Sequence, residues 1–223
     1  MNYSDLKAAL ENHPGKKNPS FAQKVTATKL PIYGLYTKDI AALTKEYKDI
    51  DLDSFVLDES YEANLIYFSI ALKRLKRLDK QIDFILRKAE HIDSWAITDT
   101  TYQSIEKRPF EEALPYIKKL LSSKNPFAVR YGYLMFFFYK RENPECLFPL
   151  FKDHENYYVK MVEAWILAEL CIYSFDETYE YLSTAALDSW TKKKAIAKAR
   201  ESFRVSEDNK AKLLALRDSL NQM

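Results

Sequence analysis

Trp95 and Asp99 stand four residues apart in the run Asp93-Ser94-Trp95-Ala96-Ile97-Thr98-Asp99. On an α-helix that separation puts an indole and a carboxylate on one face, one turn apart. Together the two groups favour a cation: the carboxylate supplies opposite charge, and the ring quadrupole adds attraction worth about 0.5 to 2 kcal/mol, depending on desolvation. Arg130 follows Trp95 by 35 residues, and Trp165 follows Arg130 by another 35. If helices repeat with that period, the three occupy equivalent places and face one side. A guanidinium suits a phosphate, because its planar fork offers parallel donors and does not deprotonate. A packing explanation stands beside this one, since a tryptophan at a helical position commonly fills a core and an aspartate near a helix start commonly complements the dipole.

The elements that must position these groups read as helices. Apolar residues recur at helical spacing, as in Leu65, Phe68, Ile70, Leu72 and Leu75, and in Ile166, Leu167, Leu170 and Ile172. Only 3 of 223 residues are Gly, against an average usage of roughly 7%, which argues against a glycine-turned β-sandwich. The aromatic run from Val129 to Tyr139 is expected to be a central helix, because a lone strand would have no partner. Start signals stand at Thr37, Asp93, Asn125-Pro126 and Asn143-Pro144, with Glu59 or Ser60 opening an earlier segment. Shorter helices at 79–90, 109–121 and 144–151 alternate with longer ones at 93–106, 126–140 and 157–174. Helix pairs repeating at roughly 34 to 47 residues mark α-solenoids, whose second helices line a concave surface. The expectation is an all-α chain, a single domain over 1–223 built as an α-solenoid of HEAT-like antiparallel helix pairs with a concave groove.

Composition excludes several function classes. No GxGxxG or GxxxxGK loop exists, because Gly15, Gly34 and Gly132 are far apart. His13, His91 and His154 have no companion at metal-ligand spacing, so no metal site is expected, and no cofactor either. Cys146 and Cys171 lack a CxxC partner and read as reduced thiols of a cytoplasmic protein. The apolar run from Tyr131 to Tyr139 is about half of the ~20 residues a membrane span needs, and Asp5, Lys7 and Glu11 preclude a secretory apolar segment near the start. A formal net charge of +2 is compatible with a nucleic-acid partner without demonstrating one. Two basic clusters, Lys73-Arg74-Lys76-Arg77 and Lys192-Lys193-Lys194, read either as solvated helix faces or, if they share the concave side, as phosphate contacts.

Over nearly its whole length the sequence resembles the bacterial AlkD-type DNA alkylation-repair family, glycosylases built of HEAT-like repeats. The strongest pieces are Trp95-xxx-Asp99, Asn125-Pro126-Phe127-Ala128-Val129-Arg130, and the run from Tyr157 to Trp165, with Thr191 to Ile196 a weaker one. The resemblance implies that Trp95 and Trp165 are groove indoles facing the deoxyribose, that Asp99 is the catalytic carboxylate, and that Arg130 is the basic residue of the same cluster. It also implies that Lys192, Lys193 and Lys194 form the basic stretch opening a penultimate helix and contacting DNA. The implied partner is duplex DNA carrying alkylated bases, met by a monomer in the cytoplasm, nucleoid-associated at most and with no membrane.

Departures from the family pattern fall at Val25, where a groove tyrosine would stand, and at Ala168, where an arginine can stand. Three functions therefore remain: a glycosylase of alkylated purines, a family member that binds DNA without catalysis, and a solenoid adaptor that grips a protein.

Overall fold

A short polar side chain placed just before a helix can accept from the first free N–H groups, and such residues mark most helix starts in this chain. The computed structural model describes residues 2–15 and 18–220. Its helices group into two compact units, Met1–Arg108 and Pro109–Met223. The first unit holds α1 (Tyr3–Glu11), α2 (Pro19–Thr26), α3 (Thr37–Glu46), α4 (Tyr61–Arg74), α5 (Leu78–Lys88) and α6 (Trp95–Thr101). The second holds α7 (Phe110–Leu121), α8 (Pro126–Leu134), α9 (Pro144–Leu147), α10 (Tyr157–Tyr173), α11 (Phe175–Thr184), α12 (Ser189–Glu201) and α13 (Glu207–Ser219). Among the described residues there is no strand, and the chain is all-α.

In the first unit α4 is the hub. Nearly every residue from Tyr61 to Leu72 is buried, and α3 and α6 both pack on it. In the second unit α10 packs between α8 and α12, while α7 covers α8, α11 covers α10, and α13 touches both α11 and α12. Contacts at both ends set the direction of the inner three. Near their starts, the Phe127 and Tyr158 rings stack at 5.6 Å and the Tyr157 and Trp190 rings meet at 5.7 Å. Near their ends, the Tyr173 hydroxyl accepts from Arg141 and Arg204 at 3.2 and 3.3 Å. The helices α8, α10 and α12 therefore run parallel as one layer, with α11 and α13 packed together beside α10 and α12, an arrangement consistent with stacked helix pairs. The expected central helix forms, although its last turn, Met135–Phe138, tightens to a 3-10 helix. Tyr131, Tyr133, Phe136 and Tyr139 are fully or almost fully buried. At Gly132 the backbone of α8 comes close to α7, where an added Cβ would lie 3.1 Å from Leu120 Cβ and 2.9 Å from Leu121 Cδ2.

Several local expectations need correction. The caps of α4, α6, α8, α10 and α12 are Ser60, Ser94, Asn125, Asn156 and Asp188, spaced by 34, 31, 31 and 32 residues. Trp95, Arg130 and Trp165, spaced by 35, therefore do not occupy equivalent places: they are the first, fifth and ninth residues of α6, α8 and α10. Each steps one turn further along its helix, because 35 exceeds the cap spacing by about one turn of 3.6 residues. Ser94 rather than Asp93 caps α6, and Thr37 is the first residue of α3 rather than the one before it. Lys73 and Arg74 end α4, whereas Lys76 and Arg77 lie in the turn beyond it, so that basic cluster is not one helix face. No helix among the described residues is long and apolar enough to cross a membrane.

Candidate functional site

In the first unit Trp95 and Asp99 fall one turn apart on α6, both partly exposed, as their spacing demands. The start of that helix is fastened by long-range bonds. Ser94 Oγ accepts from Ala96 N at 3.2 Å and donates to the Thr26 carbonyl at 2.6 Å. Asp93 accepts from Thr28 Oγ1 at 2.8 Å, Lys29 N at 2.6 Å and Leu30 N at 3.2 Å. These bonds pin the end of α2, where Ala27 adopts a left-handed φ of 54°, a conformation that costs a residue with a Cβ. The Thr98 hydroxyl donates to the Trp95 carbonyl at 2.7 Å, with Asp99 Oδ1 as the alternative acceptor at 3.1 Å. Helix α2 carries Val25 exposed and, one turn earlier, Phe21 exposed as well. An aromatic ring is thus present on that helix, four residues before the position where the family resemblance looks for one.

A second carboxylate organises the segment between α2 and α3. Glu62 is buried in the first turn of α4 and accepts from Tyr33 N, Gly34 N and Leu35 N at 3.1, 2.7 and 3.2 Å. Gly34 sits at φ 83°, which a residue lacking Cβ adopts without strain. Sequence reasoning missed both Glu62 and the role of Asp93. An available signal for Glu62 was a carboxylate opening an otherwise apolar helix.

In the second unit Arg130 is 4% exposed, and its Nη1 donates to the Tyr158 carbonyl in the first turn of α10. Part of its donor fork thus joins α8 to α10. Trp165, partly exposed, meets Phe137 with ring centroids 4.5 Å apart. Seven residues separate Tyr158 from Trp165, so the two lie on one face of α10, roughly 10 Å apart along its axis. Lys192 is 6% exposed, and burial lowers its pKa, while Lys193 and Lys194 are half-buried. Asp188 caps α12 through Trp190 N and Thr191 N at 2.9 and 3.3 Å and pairs with Lys160 at 3.1 Å.

Glu163 lies within the Tyr157-to-Trp165 run but was not singled out there, and it is fully buried. Neither carboxylate oxygen makes a hydrogen bond. Burial pushes its pKa up to about 8, and the charges of Asp188 and Asp153 add to the rise. The nearby Tyr133 hydroxyl offsets part of it, although that group is engaged with His154 Nε2 at 3.1 Å and Lys152 N at 3.2 Å. A carboxyl in such surroundings is mostly protonated at neutral pH.

The sequence matches the family model for DNA alkylation repair enzymes over residues 6–199. The chain belongs to that family. The match runs from within α1 to within α12 and so includes Trp95, Asp99, Arg130, Trp165 and Lys192 to Lys194. DNA alkylation repair is therefore the function class of this chain, with DNA as the partner that class implies. Comparison with curated proteins returned no match.

Proposed function

We propose that this DNA alkylation repair protein is a glycosylase that excises N3- or N7-alkylated purines from duplex DNA. The observation that carries the reading is the pairing of Trp95 and Asp99, one turn apart on a helix whose start is clamped by Asp93 and Ser94, in a chain of this family.

The substrate chemistry favours such a pair. A purine alkylated at N3 or N7 is positively charged, so when the bond from C1′ to the base nitrogen breaks, the electron pair leaves with the base and neutralises it. No acid is needed for the leaving group. The sugar becomes oxocarbenium-like, and water adds to C1′ and gives up a proton, leaving an abasic site and a free base. Asp99 supplies negative charge to the developing cation and an acceptor for the attacking water. Trp95 contributes a ring face that favours positive charge. Lys193 and Lys194 contribute to holding phosphates and offer more of their surface than Lys192, whereas Arg130, 4% exposed, donates to the Tyr158 carbonyl and holds α8 to α10.

Base release from methylated duplex DNA tests this reading, with 7-methylguanine and 3-methyladenine measured for the parent and for Asp99→Asn. The parent is expected to release base well above spontaneous depurination. The variant is expected to be slower by about 100- to 1000-fold, the usual worth of a group aimed at developing charge. Its duplex affinity should be unchanged or higher, because an anion opposes phosphate binding. A parent no faster than spontaneous depurination would sink the glycosylase reading. It would favour instead a member that binds DNA without excision, the reading for which the buried, uncharged Ala168 speaks.

A further inference from the structure

The C-terminal ends of α3 and α4 enclose a groove of about 500 Å³ in the first unit. Five of the residues lining it are cations, Lys45, Lys48, Lys73, Arg74 and Lys76, against a single carboxylate, Asp49. Lys73 and Lys76 also line a second groove of about 390 Å³, so the two are contiguous.

Few of these charges are neutralised locally. Arg74 is committed to backbone, donating to the Lys48 carbonyl at 2.9 and 2.6 Å and to the Ile50 carbonyl at 2.6 Å. Lys48 reaches Asp49 only at 4.0 Å, with both side chains well exposed, a contact of little energetic value. Glu106, at the far end of the second groove, already accepts from Leu78 N at 2.8 Å and pairs with Arg108 at 2.7 Å. Lys45, Lys73 and Lys76 make no ion pair among the described residues. Lys45 and Lys73 sit in the last turns of their helices, where the dipole welcomes a cation. Lys48 and Lys76 lie beyond those turns, so the dipoles do not account for the whole set.

A concave surface lined by one sign of charge focuses its field outward and raises the local concentration of opposite charge. Exposed lysine ammoniums on a long open groove suit a chain of phosphates rather than one enclosed anion, and they act as point charges that carry no base information. We propose that this groove docks the sugar–phosphate backbone of duplex DNA away from the alkylated base. The inference rests on the DNA-repair reading above and deepens it by assigning a second contact surface, on α3, α4 and the turn after α4.

The test compares the parent with the triple variant Lys45→Gln, Lys73→Gln, Lys76→Gln, whose substitutions are all at exposed positions and leave the core intact. Fluorescence anisotropy with a short undamaged duplex gives affinity across a salt series, and base release from methylated duplex is measured in parallel. Each lost phosphate contact should reduce the slope of log affinity against log salt by about 0.9, so the variant's slope should be shallower by up to about 2.7. An unchanged slope, with base release intact, overturns the groove and leaves the glycosylase reading standing. A shallower slope from a parent that releases no base upholds the groove and overturns the glycosylase reading. A parent that does not bind duplex DNA at all overturns the groove, while its base release still decides the other reading.

Discussion

Glutamine in place of Glu163 keeps the shape of the side chain and removes its titration, which isolates one group in the pH dependence of folding. The Glu163 carboxyl is pushed up to about 8 by burial, with Asp188 and Asp153 adding to the rise, whereas a glutamate in an unfolded chain titrates near about 4.3. Between these values the folded protein holds a proton that the unfolded chain has released. Stability must therefore be fully present below about pH 4, fall as pH rises, and level off above about pH 8. Each tenfold difference in proton affinity is worth about 1.4 kcal/mol, so at about pH 7 the penalty is roughly 3 to 4 kcal/mol. With about 1 kcal/mol lost at every pH to a buried amide lacking partners, the Glu163→Gln protein should lie slightly below the parent near about pH 4.5 and exceed it by roughly 2 to 3 kcal/mol near about pH 7.5. Urea unfolding of both proteins at the two pH values measures the difference directly. Stability profiles that run parallel from acid to neutral pH would refute the argument, because they would mean that Glu163 ionises in the folded protein as it does in water.

Two further outcomes follow from close contacts in the fold. Gly132→Ala sets a Cβ 3.1 Å from Leu120 Cβ and 2.9 Å from Leu121 Cδ2; the overpacking, about 1 to 3 kcal/mol, should outweigh the gain of about 1 kcal/mol in helix propensity, and a higher urea midpoint for the variant would contradict this. Asp93→Ala leaves Lys29 N, Leu30 N and Thr28 Oγ1 without their shared acceptor, and should lower stability by about 2 to 3 kcal/mol in thermal unfolding. Little or no change there would mean that water replaces the carboxylate at the end of α2.

The sequence by itself determined that the chain is helical, where several helices start to within a residue or two, and that Trp95 and Asp99 share a face. Those features are local. The Asn125 side chain accepts from Phe127 N at 2.9 Å, so the capping partner lies two residues away and the Asn125-Pro126 signal alone reveals it. The aromatic run through Tyr131, Tyr133 and Phe136 was likewise legible as core, because a helix so apolar has to be buried. The period was only partly legible. Counting between large side chains returned 35, whereas the caps recur at 31 to 34, because a side chain can serve one face from successive turns and a cap marks a single place. Tertiary structure alone decided which charges are spent on holding the fold. Asp93 receives its bonds from residues 63 to 65 positions earlier, Glu62 from 27 to 29 earlier, and Arg130 reaches a carbonyl 28 later. Burial does the same for Glu163, whose raised pKa comes from its enclosure, with Asp188 and Asp153 from other segments adding to the rise. An acidic side chain reads alike in sequence whether it meets water or a ring of amides, and only the packing of distant segments settles which of the two it meets.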